Sequence, residues 1–143
     1  MRRVNAEGGS ADGATGPKAR PGRLAAGRRR QWPWPGAAFG KVPTEVSLEA
    51  AHQAAGRTAL SVLGSLKRAL GDLDRVTAWL MVYGMVNADA GYSQTTNAIN
   101  GFSDLIVDLY GPEVGAHARV AVGMAALPLD NAVTVAAEVA VAD

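Results

Sequence analysis

The stretch Val76-Thr-Ala-Trp-Leu-Met-Val-Tyr-Gly-Met-Val86 carries two alternating sets of side chains, Val76/Ala78/Leu80/Val82 and Thr77/Trp79/Met81/Tyr83/Met85, and both are largely apolar. Successive residues of a strand point to opposite faces, so a strand that is apolar on both has to be covered twice. Helices can shield one side of a single sheet. That leaves two readings for the Trp79/Met81/Tyr83 side, a face met by another subunit or an aromatic core within a monomer.

Working outward from this strand, the segment before it reads as an amphipathic helix. Ser47 can cap it, Glu49 suits its positive end, and Gly71 supplies a left-handed stop. Leu48, Ala51, Ala55, Ala59, Val62, Leu63, Leu66 and Leu70 recur at three/four spacing on one face, while Gln53, Arg57, Lys67 and Arg68 occupy the other. His52 abuts the apolar stripe as a helix-surface residue. After the strand, a second helix is expected from about Ser93 to Tyr110, with Ile99, Phe102, Leu105, Ile106 and Leu109 on one face and Gly111-Pro112 ending it. Two closing strands, Ala116 to Ala126 and Asn131 to Ala142, flank a Pro128-containing turn. The expected order is α-β-α-β-β, an α+β domain spanning residues 40–143 with two helices on one face of the sheet.

Residues 1–39 show neither a helical nor a strand period and are rich in Gly, Ala, Arg and Pro, so they are expected to be a disordered basic extension. Arg28-Arg29-Arg30 with Trp32 and Trp34 has the composition of an RNA-touching tail. A transit peptide, and a start or reading frame assigned wrongly, give similar compositions. The net charge of +1 hides a split: residues 1–40 hold eight Arg/Lys against Glu7 and Asp12, and the remainder holds six basic residues against eleven acidic ones. The folded part therefore lacks a basic nucleic-acid face. Without cysteine there is no disulfide or thiolate chemistry, and a reducing cytoplasm is the expected compartment. No apolar run approaches the roughly 20 residues needed to cross a bilayer, so no membrane partner is expected.

The chemistry-bearing candidates are few. Arg119 alternates with Ala121 and Gly123 on one face of its strand, so its guanidinium overlooks small residues and has room beside it for a carboxylate; a structural ion pair is the competing reading. His117 is expected on the opposite face from Arg119. Asp104 and Asp108 stand at i and i+4 as a solvated acidic face, and Glu138 as a rim charge; two histidines alone do not make a metal site. Nucleophile-elbow, GxGxxG, Walker and HExxH patterns are absent.

Arg119-Val-Ala-Val-Gly-Met-Ala-Ala-Leu-Pro128 is similar to the ARSAVGVAALP signature of the Rid (YjgF-like, RidA) family of imine/enamine deaminase-like proteins. Gly40-Lys41-Val42, Gly71-Asp-Leu-Asp-Arg-Val76, Ile99-Asn100-Gly101 and Ser103-Asp104-Leu105 support the resemblance in the same order. It implies a chorismate-mutase-like fold, here with the family's N-terminal hairpin missing or replaced, closing as a homotrimer with clefts between subunits. It also implies that Arg119 binds the carboxylate of a 2-imino or enamine acid over Ala121 and Gly123, giving a 2-keto acid and ammonia without a cofactor. Active relatives carry a water-orienting glutamate where this chain has Thr134. Threonine can hold a water but cannot act as a base near pH 7, so little acceleration of imine hydrolysis is expected. The alternative is a non-catalytic trimer holding a small carboxylate metabolite or a partner protein. A pericyclic mutase would need more cations than Arg119 alone.

Overall fold

The computed structural model describes residues 2–8 and 38–143. Strand β1 (Arg2–Gly8) is followed by helix α1 (Leu48–Leu70), strand β2 (Val76–Asn87), helix α2 (Thr95–Gly115), strand β3 (Ala118–Met124) and strand β4 (Val133–Val141). The sheet order is β1-β4-β2-β3. Strands β2 and β3 are parallel, joined by the α2 crossover, and the other pairings are antiparallel. Both helices cover one side of the sheet, and the α+β, chorismate-mutase-like architecture is as expected.

The ends of α1 follow from local chemistry. Ser47 Oγ accepts from the Ala50 N–H, and Gly71, at φ 79°, donates its N–H to the Lys67 carbonyl. Ala51, Ala55, Ala59, Val62, Leu63 and Leu66 are buried as the period required. In α2 the regular helix breaks at Gly111 (φ 75°), ahead of Pro112, and only a short turn continues to Gly115. The two helices touch backbone to backbone: a Cβ on Gly101 would overlap the His52 carbonyl oxygen. His52 also donates from Nδ1 to the Asn97 carbonyl at 3.1 Å, so it ties α1 to α2 rather than standing idle on the surface. Ahead of α1, Lys41 Nζ reaches Asn87 Oδ1 at 3.2 Å and the Ala125 carbonyl at 2.5 Å, fastening that segment across the ends of β2 and β3.

Two expectations are corrected. Trp79 does not lie on the same side as Tyr83. Register shifts against β4 between Val76 and Ala78 and between Trp79 and Met81 change the phase of β2. Trp79, 2% exposed, therefore packs edge-on against Phe102 and Tyr110 beneath the helices. Burying the largest side chain of the strand removes more apolar surface from water than strict alternation would allow. Second, Arg2–Gly8, expected within the disordered extension, is a strand whose backbone pairs with β4 from Arg2↔Val141 to Gly8↔Val135. An open sheet edge accepts a strand through main-chain hydrogen bonds whatever its side-chain pattern. The rest of that extension, residues 9–37 with the Arg/Trp cluster, lies outside the described residues.

Among the described residues, none covers the side of the sheet away from the helices. Tyr83 and Val120 pair across β2 and β3, as do Met85 and Val122, so their side chains share this face. Tyr83, Val120, Val122 and Met124 are each about two-fifths exposed (41%, 40%, 41% and 38%).

Candidate functional site

Alternation along β3 sends Val120, Val122 and Met124 to the uncovered face and leaves His117, Arg119 and Ala121 on the side of α2. Arg119 Nη1 donates to Asn100 Oδ1 at 2.9 Å and to Ser103 Oγ at 3.0 Å. Those acceptors stand three residues apart on α2 and so share one helix face. Both are uncharged, and among the described residues Arg119 has no acidic partner. The expected alternative of a structural ion pair is thus not what holds it. Its Nε and Nη2 donors have no hydrogen-bonded acceptor among these residues.

His117 stands on the same face as Arg119, not the opposite one, because residues two apart on a strand point the same way. Its Nδ1 lies 2.6 Å from the Gly115 carbonyl oxygen and its Nε2 lies 2.9 Å from Ser103 Oγ. A carbonyl oxygen can only accept, so Nδ1 carries a proton, and in the neutral form of the ring the lone pair is at Nε2. Ser103 completes the chain, accepting from Arg119 Nη1 and, with the ring in its neutral form, donating to His117 Nε2. Ser103, Val107, Ala116, His117 and Arg119 line a shallow cleft of about 430 Å³, largely open to solvent, between α2 and the start of β3.

Ala121 and Gly123 share the face of Arg119 but do not line this cleft. Thr95 in the first turn of α2 and Ala88 after β2 stand beside them: Thr95 Oγ1 donates to the Ala121 carbonyl at 3.1 Å, and a Cβ on Gly123 would lie 3.2 Å from Ala88 Cβ and 3.7 Å from Thr95 Cγ2. The room beside the guanidinium therefore opens toward Ala116 rather than over the small residues. Thr134 pairs with Met85 and points to the uncovered face between the buried Val133 and Val135. Within one chain, Arg119 and Thr134 are thus separated by β2 and by the sheet itself. Glu138, opposite Met81, shares the uncovered face with Thr134. Asp104 and Asp108 are exposed on α2, and no group of three His, Cys, Asp or Glu residues among the described residues is arranged to hold a metal ion. No helix among them is long and apolar enough to cross a membrane.

His117, Ser103 and Asn100 were missing from the sequence-derived site. The strand period could have supplied His117. The two α2 residues needed the packing of a different element.

No family model matches the chain. Over 100 residues it is 39% identical to Protein TCP17 of Trypanosoma cruzi, a match that covers 70% of this chain and 62% of that protein. The chain therefore spans less than two thirds of the length of this relative. Among solved structures it resembles Atu1372 of Agrobacterium tumefaciens, a protein of unknown function, with a TM-score of 0.69 and 36% identity over 72% of this chain and 66% of that one. A proposed endoribonuclease from Shewanella oneidensis MR-1 gives the same TM-score at 23% identity, covering 72% of this chain and 68% of the other. The two-helix layer over a mixed sheet, together with these likenesses, gives this chain the chorismate-mutase-like α+β fold of YjgF-type proteins.

Proposed function

We propose that the chain is a Rid-family protein whose cleft between α2 and β3 captures the carboxylate of a small 2-keto or 2-imino acid on Arg119, and that it hydrolyses 2-imino acids to 2-keto acids and ammonia. The observation that supports this reading is the state of the guanidinium. Nη1 is tied to two neutral acceptors, which fixes the plane without neutralising the positive charge, and the Nε/Nη2 edge is left for a two-point contact. A cleft of about 430 Å³ suits a ligand of a few heavy atoms. The ribonuclease assignment of the Shewanella neighbour fits this chain poorly, because from Lys41 onward six basic residues face eleven acidic ones and a phosphate backbone needs the reverse.

The placement of Thr134 away from Arg119 favours a second reading, a carboxylate-binding module without catalysis. In either case the working unit is a homotrimer. Tyr83, Val120, Val122 and Met124 form an apolar face of the kind that marks association surfaces.

The test is calorimetry with pyruvate and 2-oxobutyrate, alongside the decay of 2-iminopropionate generated by an amino-acid oxidase. Binding should weaken about 10- to 150-fold in Arg119→Lys, which keeps the charge but loses one charge-assisted hydrogen bond worth roughly 1.5–3 kcal/mol. Equal affinity in Arg119→Ala would refute the site. Binding without acceleration of imine decay would select the second reading.

A further inference from the structure

We propose that His117, with Ser103, is the proton-transfer group of the Arg119 cleft; the inference rests on the imine-hydrolysis reading and names the base that Thr134 cannot supply. Hydrolysis of an imine moves one proton off the attacking water and another onto the departing nitrogen, so a group able to hold a proton near neutral pH must face the ligand. Glu138 lies on the face opposite Arg119, and Asp104 and Asp108 stand exposed outside the cleft. Among the described residues that line the cleft, His117 is the one whose side chain can act as a base.

Its geometry is prepared for the task. The 2.6 Å bond from Nδ1 to the Gly115 carbonyl fixes both the tautomer and the plane of the ring, leaving the Nε2 lone pair as the acceptor. Gly115 is itself held firmly, since a Cβ there would lie 2.9 Å from the Ile106 carbonyl oxygen and 3.0 Å from Val107 Cα. Ser103 bridges Nε2 and the guanidinium at 2.9 Å and 3.0 Å, so its hydroxyl sits between the base and the group that anchors the substrate carboxylate. Covalent attack by Ser103 is not supported. The residue lies inside α2, where backbone N–H groups are committed to the helix and no pair of them is left to receive an oxyanion.

The steps balance without any further reactant. Water attacks C2 of the protonated imine, a C–O bond forms, and the C=N π pair moves to nitrogen. The surplus proton of the water passes to Nε2 through Ser103, which gives its own proton and takes that of the water. The imidazolium then returns this proton to the amino nitrogen of the carbinolamine. The C–N bond breaks, the hydroxyl oxygen forms the C=O double bond, and its proton leaves with the departing ammonia as ammonium.

The experiment measures kcat, KM, pyruvate affinity and the thermal midpoint for the wild type, His117→Gln, His117→Ala and Ser103→Ala, with 2-iminopropionate as substrate. His117→Gln should lower kcat by about 10²–10⁴ while pyruvate affinity stays within threefold, and added imidazole should restore part of the rate in His117→Ala. Ser103→Ala should lose less, since water can replace a relay hydroxyl. Nitrogen NMR on the wild type should show His117 protonated at Nδ1. A wild type that depends on Arg119 but loses less than threefold in kcat in His117→Gln would overturn this inference and leave imine hydrolysis standing. An Nε2-protonated tautomer would do the same, as would a His117→Gln defect confined to KM and pyruvate affinity. A wild type that binds pyruvate but does not hasten imine decay would overturn the hydrolysis reading and this inference with it.

Discussion

Gly101→Ala should destabilise the fold by about 2–3 kcal/mol, although alanine is the better helix former. The gain in propensity is at most about 1 kcal/mol. Against it, the new Cβ would overlap the His52 carbonyl oxygen and would sit 2.9 Å from the His52 carbonyl carbon. Both obstacles are helix backbone, so no rotamer change relieves them, and α1 and α2 would have to part by something on the order of 1 Å to restore ordinary contact. Overpacking of this kind costs roughly 1–3 kcal/mol, and losing the His52–Asn97 bond adds about 0.5–1.5 kcal/mol. Because Asn100 and Ser103 ride on α2, the same displacement should weaken pyruvate binding. Gly64→Ala is the control: it also lies within a helix, but its Cβ would meet only the tip of Arg68 at 3.6 Å, so the substitution should stabilise by up to about 1 kcal/mol. Urea unfolding followed by circular dichroism measures both. A Gly101→Ala protein as stable as the wild type, or two glycines responding alike, would refute the close-contact argument.

Tyr110→Phe should be neutral or stabilising, because the buried hydroxyl has no hydrogen-bond partner among the described residues, and a loss above about 1 kcal/mol would contradict this. Burial, and secondarily the negative charge of Asp74, raise the Tyr110 pKa above 10.0. The native chain thus holds this proton more tightly than the unfolded one. Its contribution to stability is intact below about pH 10 and is lost as pH rises through the raised native value, and that part of the alkaline decline should vanish in Tyr110→Phe. Thr134→Glu should change the imine-hydrolysis rate by less than twofold, since position 134 points away from the Arg119 cleft; a large gain would show that a neighbouring subunit brings the two faces together. Val122→Asp, placing a charge on the uncovered face, should turn a light-scattering trimer into monomers while circular dichroism is retained, and an unchanged mass would locate the interface elsewhere.

What could be known from the sequence was what depends on near neighbours in the chain. Ser47, the apolar stripe and Gly71 delimit α1, and Gly111-Pro112 stops the regular part of α2, because caps and backbone breaks act within one turn. The alternation of β3 likewise separates Arg119 from Val120 and Val122, and the same period applied two residues back puts His117 beside Arg119. The sequence could not say which layer each face would meet. Trp79 joins the core only because pairing with β4 shifts the register of β2, and Arg2–Gly8 becomes a strand only because β4 offers it an edge. An offset of fifteen residues between Arg119 and Thr134 carries no record of the strand that lies between them, nor of the sheet side each faces. The cleft itself arises where Asn100 and Ser103 of α2 pack against Arg119 and His117, and contacts between elements distant in the chain are set by burial of the whole core rather than by any local pattern.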